Sequence, residues 1–193
     1  KDNHVGQYRR TFKWTGSQDN EDIILRIGAV TSNVSVWLNG AYVGYSEDSR
    51  LAADFDITDK LVEGDNTLAL EVFRWCDGTY LEDQDMWRMS GISRSVEIIR
   101  KPKSRLEDLH IEASASGELN LQMFFTSGVG EVEAKLRAPR GWRRWRWNAP
   151  VSGTSLRLER KIRSPKLWSA ETPNLYNLEI TVRDTSGNIT QTV

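Results

Sequence analysis

The chain has 193 residues, 26 basic against 27 acidic, and 38% of them are apolar, with 8 tryptophans. That balance excludes a global attraction for nucleic acid or another polyanion. The length allows one large domain or two small ones, and the tryptophans bury enough area to give each a core.

Residues 1–6 are polar and are expected to fray. Residues 8–14 alternate, with Tyr8, Arg10, Phe12 and Trp14 on one face and Arg9, Thr11 and Lys13 on the other, which predicts a strand. Residues 16–20 form a turn cluster. Residues 22–27 predict a second strand, with Ile23, Leu25 and Ile27 on one side. Asn39-Gly40 separates the β-rich runs 34–38 and 41–45. Both central positions of a type I′ turn need positive φ, so this pair predicts a two-residue hairpin. Residues 49–55 lead into a short turn at Thr58 or Asp59. A turn at residues 63–66 precedes an apolar strand at 67–73, and a further strand is predicted at 93–99. Short strands with turns between them, and no helical period, predict an all-β fold, a sandwich or jelly roll.

Residues 101–104, Lys-Pro-Lys-Ser, mark the expected boundary between a domain at 1–101 and a second at 102–193, since proline removes a ladder donor. The pattern then restarts, with strands at 109–115, 118–126, 129–138, 155–162 and 175–184. About seven strands in some 90 residues suit an immunoglobulin-like sandwich.

The connection at residues 74–92, RWCDGTYLEDQDMWRMSGI, is too long for an ordinary loop and too apolar for disorder. Trp75, Tyr80, Met86, Trp87 and Met89 offer apolar surface. Asp77, Glu82, Asp83 and Asp85 offer acceptors. The combination suits a sugar, whose ring faces are apolar and whose hydroxyls need acceptors, and carboxylates also suit a hard cation. Glu82, Asp83 and Asp85 have three readings: the carboxyl pair of a glycosidase, ligands of a cation or sugar hydroxyl, or acceptors for loop amides. Arg88, Arg94 and Asp83 are candidates for an ion-pair network that fixes the loop. Trp75 and Trp87 are either sugar-stacking platforms or packing residues. Packing is the commoner role.

Cys76 has no neighbouring histidine in sequence, since His4 and His110 are remote, so it reads as a small apolar residue and not as a nucleophile. The segment Arg140–Trp147, RGWRRWRW, has the composition of a single-strand nucleic-acid or membrane-surface patch. Its parity argues for a half-buried strand, with Trp145 and Trp147 on one face and Arg144 and Arg146 on the other. Neither nucleic acid nor a membrane is therefore expected as a partner, and a subunit contact is the remaining alternative. In residues 166–176, KLWSAETPNLY, Trp168 and Tyr176 are expected to close the second sandwich. No apolar run reaches the roughly 20 residues of a membrane-spanning helix.

RWCDGTYLEDQDMWRMSGI, VWLNGAYVGYSEDSRLAADFDIT and SPKLWSAETPNLY strongly resemble the lac-type β-galactosidases of glycoside hydrolase family 2, over nearly the whole chain. The resemblance implies a jelly-roll-like sugar-binding domain, lacking its first strands, followed by an immunoglobulin-like domain. It implies that the catalytic glutamates lie on a TIM barrel beyond Val193, so this chain carries no catalytic residue and should be inactive alone. It assigns Asp85, in EDQDMW, to the galactose subsite and to a bound Na⁺, and leaves the other loop carboxylates to structure. For the parent enzyme it implies retaining hydrolysis of β-D-galactosides, Na⁺ and Mg²⁺ as cofactors, and a homo-oligomer. The compartment, cytoplasmic or periplasmic, is not readable from the chain. Two other readings remain open: an autonomous carbohydrate-binding sandwich, and an interaction module with Arg140–Trp147 as its contact.

Overall fold

A computed structural model describes residues 2–82, 85, 87, 89–141 and 143–193. It divides into two compact units, Lys1–Lys101 and Pro102–Val193.

The first unit runs β1 (Val5–Trp14), β2 (Glu21–Ile27), β3 (Val30–Thr31), β4 (Asn33–Leu38), β5 (Ala41–Glu47), β6 (Ala53–Asp56), a 3-10 turn (Thr58–Lys60), β7 (Gly64–Phe73), the one-turn helix α1 (Gly78–Leu81), β8 (Gly91–Ile92) and β9 (Val96–Pro102). Among the described residues the strands form a sheet ordered β1-β7-β4-β5, a second ordered β6-β2-β9, and the short pair β3-β8. Alternation along three strands builds the core. Ile23, Leu25 and Ile27 of β2 are buried with Val34, Val36 and Leu38 of β4 and Leu68, Leu70 and Val72 of β7. Each such side chain contributes roughly 1.5–3 kcal/mol. The β4–β5 hairpin turns at Asn39 (φ 53°) and Gly40 (φ 82°), the two positive values a type I′ turn requires.

Three expectations are corrected here. Asn3–Gly6 are held in place and not frayed. Val5 and Gly6 pair with Phe73 and Val72, and the Asn3 side chain both donates to the Trp75 carbonyl and accepts from the Trp75 amide, at 2.9 Å each. A carboxamide carries one donor group and one acceptor, so it can replace a strand partner. The turn expected at residues 63–66 is displaced, because Gly64–Asn66 already belong to β7. Gly64 takes φ 93°, and the Asn66 side chain bonds back to the turn. The strand expected at 93–99 starts instead at Val96. Ser93 and Ser95 bond singly to Ala29 and Gly28. Strands β3 and β8, two residues each, are too short to show alternation.

The second unit contains β10 (Leu106–Ala113), β11 (Glu118–Phe125), β12 (Val129–Arg137), β13 (Arg144–Pro150), β14 (Ser155–Lys161), β15 (Asn177–Asp184) and β16 (Ile189–Thr192). They form two sheets, β10-β11-β14 and β13-β12-β15-β16, the two-sheet division of an immunoglobulin-like sandwich. Leu119, Leu121, Met123 and Phe125 from one sheet meet Val132, Ala134, Leu136, Ile180 and Val182 from the other. Trp145 and Trp147 pack against this core. Arg143 and Arg160 cover their rings at 5.1 and 5.8 Å. The Trp145 and Trp147 indoles therefore pack inward, as parity implies. Tyr176 joins the core and stacks near Trp145, with centroids 6.4 Å apart. Trp168 does not close the sandwich: it is 62% exposed. It lies in the irregular stretch before β15, where no ladder draws it inward.

Glu133 points to the outer face of β12 yet is only 5% exposed, because Lys135 (2.8 Å) and Arg146 close over it. The hydrogen bond from Lys135, with Arg146 behind it, holds this carboxyl below the usual range. Lys135 does the same to Glu179, backbone amides led by Asn188 do so to Asp184, and Arg26 does so to Asp54. A depressed carboxyl contributes stability that is present above its unfolded pKa and lost as pH falls through the folded one. Unfolding midpoints should therefore hold steady between about pH 5 and pH 8 and fall progressively below about pH 4. Thermal melts across pH check this. A midpoint that stays level down to about pH 2 would contradict it.

Candidate functional site

Residues 74–92 leave the end of β7 and return through β8. The first half is stitched to the sheet. The Arg74 amide donates to the His4 carbonyl at 2.9 Å, and its guanidinium sits 5.1 Å from the Trp75 ring centroid. Asn3 clamps Trp75, and the Thr79 hydroxyl accepts from the Cys76 amide at 3.1 Å. Helix α1 follows, closed by the Glu82 amide donating to the Gly78 carbonyl at 2.9 Å. The Glu82 carboxylate accepts from the Ser49 amide at 3.0 Å. Glu82 thus has the structural role expected of the loop carboxylates other than Asp85. Beneath the loop lies a small cavity of about 30 Å³ lined by Thr31, Ser49, Arg50, Arg74, Trp75 and Glu82, among others.

The described residues beyond Glu82 include several at the surface. Asp85 is exposed. Around it in sequence Tyr80, Leu81, Trp87 and Met89 are all at least 70% exposed, Trp87 at 85%. Trp87 therefore does not pack on its own sheet. Several large apolar side chains displayed on one loop mark a surface that meets something else. Asp83, Met86 and Arg88 lie outside the described residues, and with them the ion-pair network expected from Asp83, Arg88 and Arg94. Arg94 itself donates to the Arg50 carbonyl at 3.4 Å.

A second group of donors was not legible in the sequence. Glu47, Cys76 and Asp77 each bring one possible ligand atom within 4.8 Å of the others. Cys76 comes from the start of the loop and Glu47 from the end of β5, 29 positions earlier; only the β5-β4-β7 order brings them together. The set offers one sulfur and two carboxylate oxygens, donors that zinc accepts. Cys76 is half-buried, with its sulfur 3.5 Å from the Thr79 hydroxyl. Beside it, Tyr45 donates to the Glu47 carboxylate and accepts from Asn33 at 3.2 Å. Burial, reinforced by that bond to Glu47, pushes the Tyr45 phenol up to about 12, so it stays a donor at any physiological pH.

The comparisons with known proteins agree along the whole chain. Residues 1–102 match the family described as glycosyl hydrolases family 2, sugar binding domain, and residues 104–193 match glycosyl hydrolases family 2. A β-galactosidase of Erwinia tasmaniensis is 40% identical over 209 residues, covering 97% of this chain and 20% of its own length. One from Priestia megaterium is 38% identical over 216 residues, covering 100% and 20%. The chain thus spans about a fifth of the curated relatives it matches. Among solved structures, a Bacteroides uniformis β-glucuronidase superposes with a TM-score of 0.79 at 21% identity, over 100% of this chain and 26% of that one. A Bifidobacterium dentium β-glucuronidase gives 0.81 at 19% identity, over 98% and 39%. At such identity the structural likeness is one of fold.

Proposed function

Because this chain belongs to glycosyl hydrolases family 2, we propose that it is the non-catalytic part of a β-galactosidase that hydrolyses terminal β-D-galactosides with retention. The carrying observation is that β-galactosidases 38–40% identical match 97–100% of this chain, while the chain covers 20% of theirs. In this reading the first unit is the sugar-binding domain and the second an immunoglobulin-like spacer. The glutamates that act on the glycosidic bond belong to the remaining four-fifths.

The loop is this chain's contribution to the substrate mouth. Its first half is anchored through Asn3, Thr79 and Ser49. Tyr80, Leu81, Trp87 and Met89 supply apolar surface for the catalytic domain to cover. Asp85 supplies a carboxylate to a galactose hydroxyl and to Na⁺. A carboxylate oxygen is the hard donor such an ion takes, and here it provides one ligand of several. Among the described residues Asp85 is not part of the Glu47, Cys76 and Asp77 grouping, and in this reading the ion's other ligands come from the rest of the enzyme. When bound, the ion would neutralise Asp85 and add a positive pole for sugar hydroxyls. Mg²⁺ and a homo-oligomeric assembly belong to the whole enzyme in the same reading.

An NMR titration with galactose in sodium buffer, followed on the tryptophan indole signals, tests the division of labour. The expected result is no saturable shift up to about 10 mM, an affinity weaker than roughly −2.7 kcal/mol. Saturable shifts at lower concentration, lost in Asp85→Ala, would make the chain an autonomous carbohydrate-binding module instead.

A further inference from the structure

Seven of the basic residues, and none of the acidic ones, lie between Ala134 and Leu158, so the rest of the chain carries eight more acids than bases. The β12–β13 pairing sets this charge in two rows, with Lys135 opposite Arg146 and Arg137 opposite Arg144. The first row is neutralised. Lys135 bridges Glu133 and Glu179 at 2.8 and 2.9 Å, and Arg146 also meets Glu133. The second row lacks such close pairs, although the Glu179 carboxylate reaches Arg137 electrostatically. Among the described residues neither Arg137 nor Arg144 has an ion-pair partner. Arg144 makes one long bond, to the Gly141 carbonyl at 3.4 Å. On its other side Arg137 faces the neutral Asn177.

Like charges directly opposite one another on an antiparallel pair are destabilising, and their Cβ atoms stand only about 4.5–5.5 Å apart. Guanidinium cannot relieve the repulsion by losing its proton. A groove of about 340 Å³ opens at this place, lined by Lys135, Leu136, Arg137, Arg144, Trp145 and Arg146. That volume fits a small ligand, and two planar forks of donors suit the paired oxygens of one oxyanion. We propose that the Arg137–Arg144 groove binds a single oxyanionic group, the carboxylate of a sugar acid or a phosphate. A nucleic-acid strand is the poorer match. It would need open aromatic faces for its bases, and here Trp145 and Trp147 are packed into the core beneath Arg143 and Arg160.

The test is the thermal unfolding midpoint of the chain in added inorganic phosphate or D-galacturonate, each matched in ionic strength with sodium chloride. A saturable rise beyond the chloride control is expected from at least one of them. At ten times Kd the folding equilibrium constant gains about 11-fold. Phosphate alone would identify an inorganic oxyanion, and galacturonate alone a sugar acid. Arg137→Gln and Arg144→Gln should each abolish the rise. In anion-free buffer each should melt at or above the wild-type temperature, because the repulsion is gone, so the loss cannot be ascribed to misfolding. A wild type that responds only as to chloride, or glutamine variants that keep the full response, would overturn the proposal. So would a single-stranded oligonucleotide that binds with quenching of tryptophan fluorescence.

Discussion

Asp85→Ala, introduced into the complete glycosidase, is expected to lower kcat/KM on a β-galactoside by about 10–150-fold and to leave the unfolding of this chain unchanged. The factor is that of one hydrogen bond to a charged group, about 1.5–3 kcal/mol. The second half of the expectation follows from the structure. Asp85 is exposed, on a loop whose anchors are Asn3, Thr79 and Glu82. Asp85→Asn separates charge from shape: it keeps the size and one acceptor oxygen but cannot neutralise an ion. Steady-state kinetics of both variants, run beside thermal melts, decide the matter. Wild-type kcat/KM in Asp85→Ala would remove the residue from the substrate site.

Asn66→Ala is expected to cost about 3–5 kcal/mol, at the upper end for a single substitution. Asn66 is 0% exposed. Its amide donates to the carbonyls of Val62 at 2.7 Å and Gly64 at 3.1 Å. Its oxygen accepts from the Val62 amide at 3.0 Å and from the Asn39 side chain at 2.8 Å. Asn39 in turn donates to the Lys60 carbonyl and accepts from the Thr67 amide. Two asparagines thus lock the β4–β5 turn to the turn that starts β7. Alanine would strand several buried polar groups at about 1–3 kcal/mol each, less whatever relaxation recovers. For a unit of about 100 residues, each kcal/mol moves the midpoint by roughly 4–8 °C. Urea unfolding of the chain measures the loss directly, and a change below about 1 kcal/mol would refute the lock. Asn66→Asp keeps the acceptor and loses both donations, so it should fall short of the wild type as well.

The legible parts of the fold were those with a period or a conformational requirement. Alternation places Ile23, Leu25 and Ile27 inward, and the same rule separates Trp145 and Trp147 from Arg144 and Arg146. Positive φ at two successive positions explains Asn39-Gly40. Parity and turn chemistry are local properties, so they can be read without knowing which strands become neighbours. The illegible parts depend on neighbours. Asn3 reads as a polar terminal residue until Trp75 is beside it. Asn66 reads as a turn residue until the turns close on each other. Trp168, placed in the core on its aromatic character, has no strand to carry it there. In the candidate site the loop and Asp85 stood out in the sequence by composition and by resemblance, whereas Glu47 did not.

By itself, then, the sequence determined an all-β chain, the faces of its main strands, the Asn-Gly hairpin, and membership of a glycosidase family through its long loop. Tertiary structure alone decided three things. Strand order brings Glu47 to Cys76 and Asp77. The β12–β13 register sets Arg137 against Arg144 while leaving Glu133 to Lys135 and Arg146. Packing turns the tryptophans of β13 inward and leaves Trp87 outside. The reason is physical: side-chain alternation is set within one strand, but charge pairing and donor clusters depend on distances between strands far apart in sequence, which exist only once the sheets have formed.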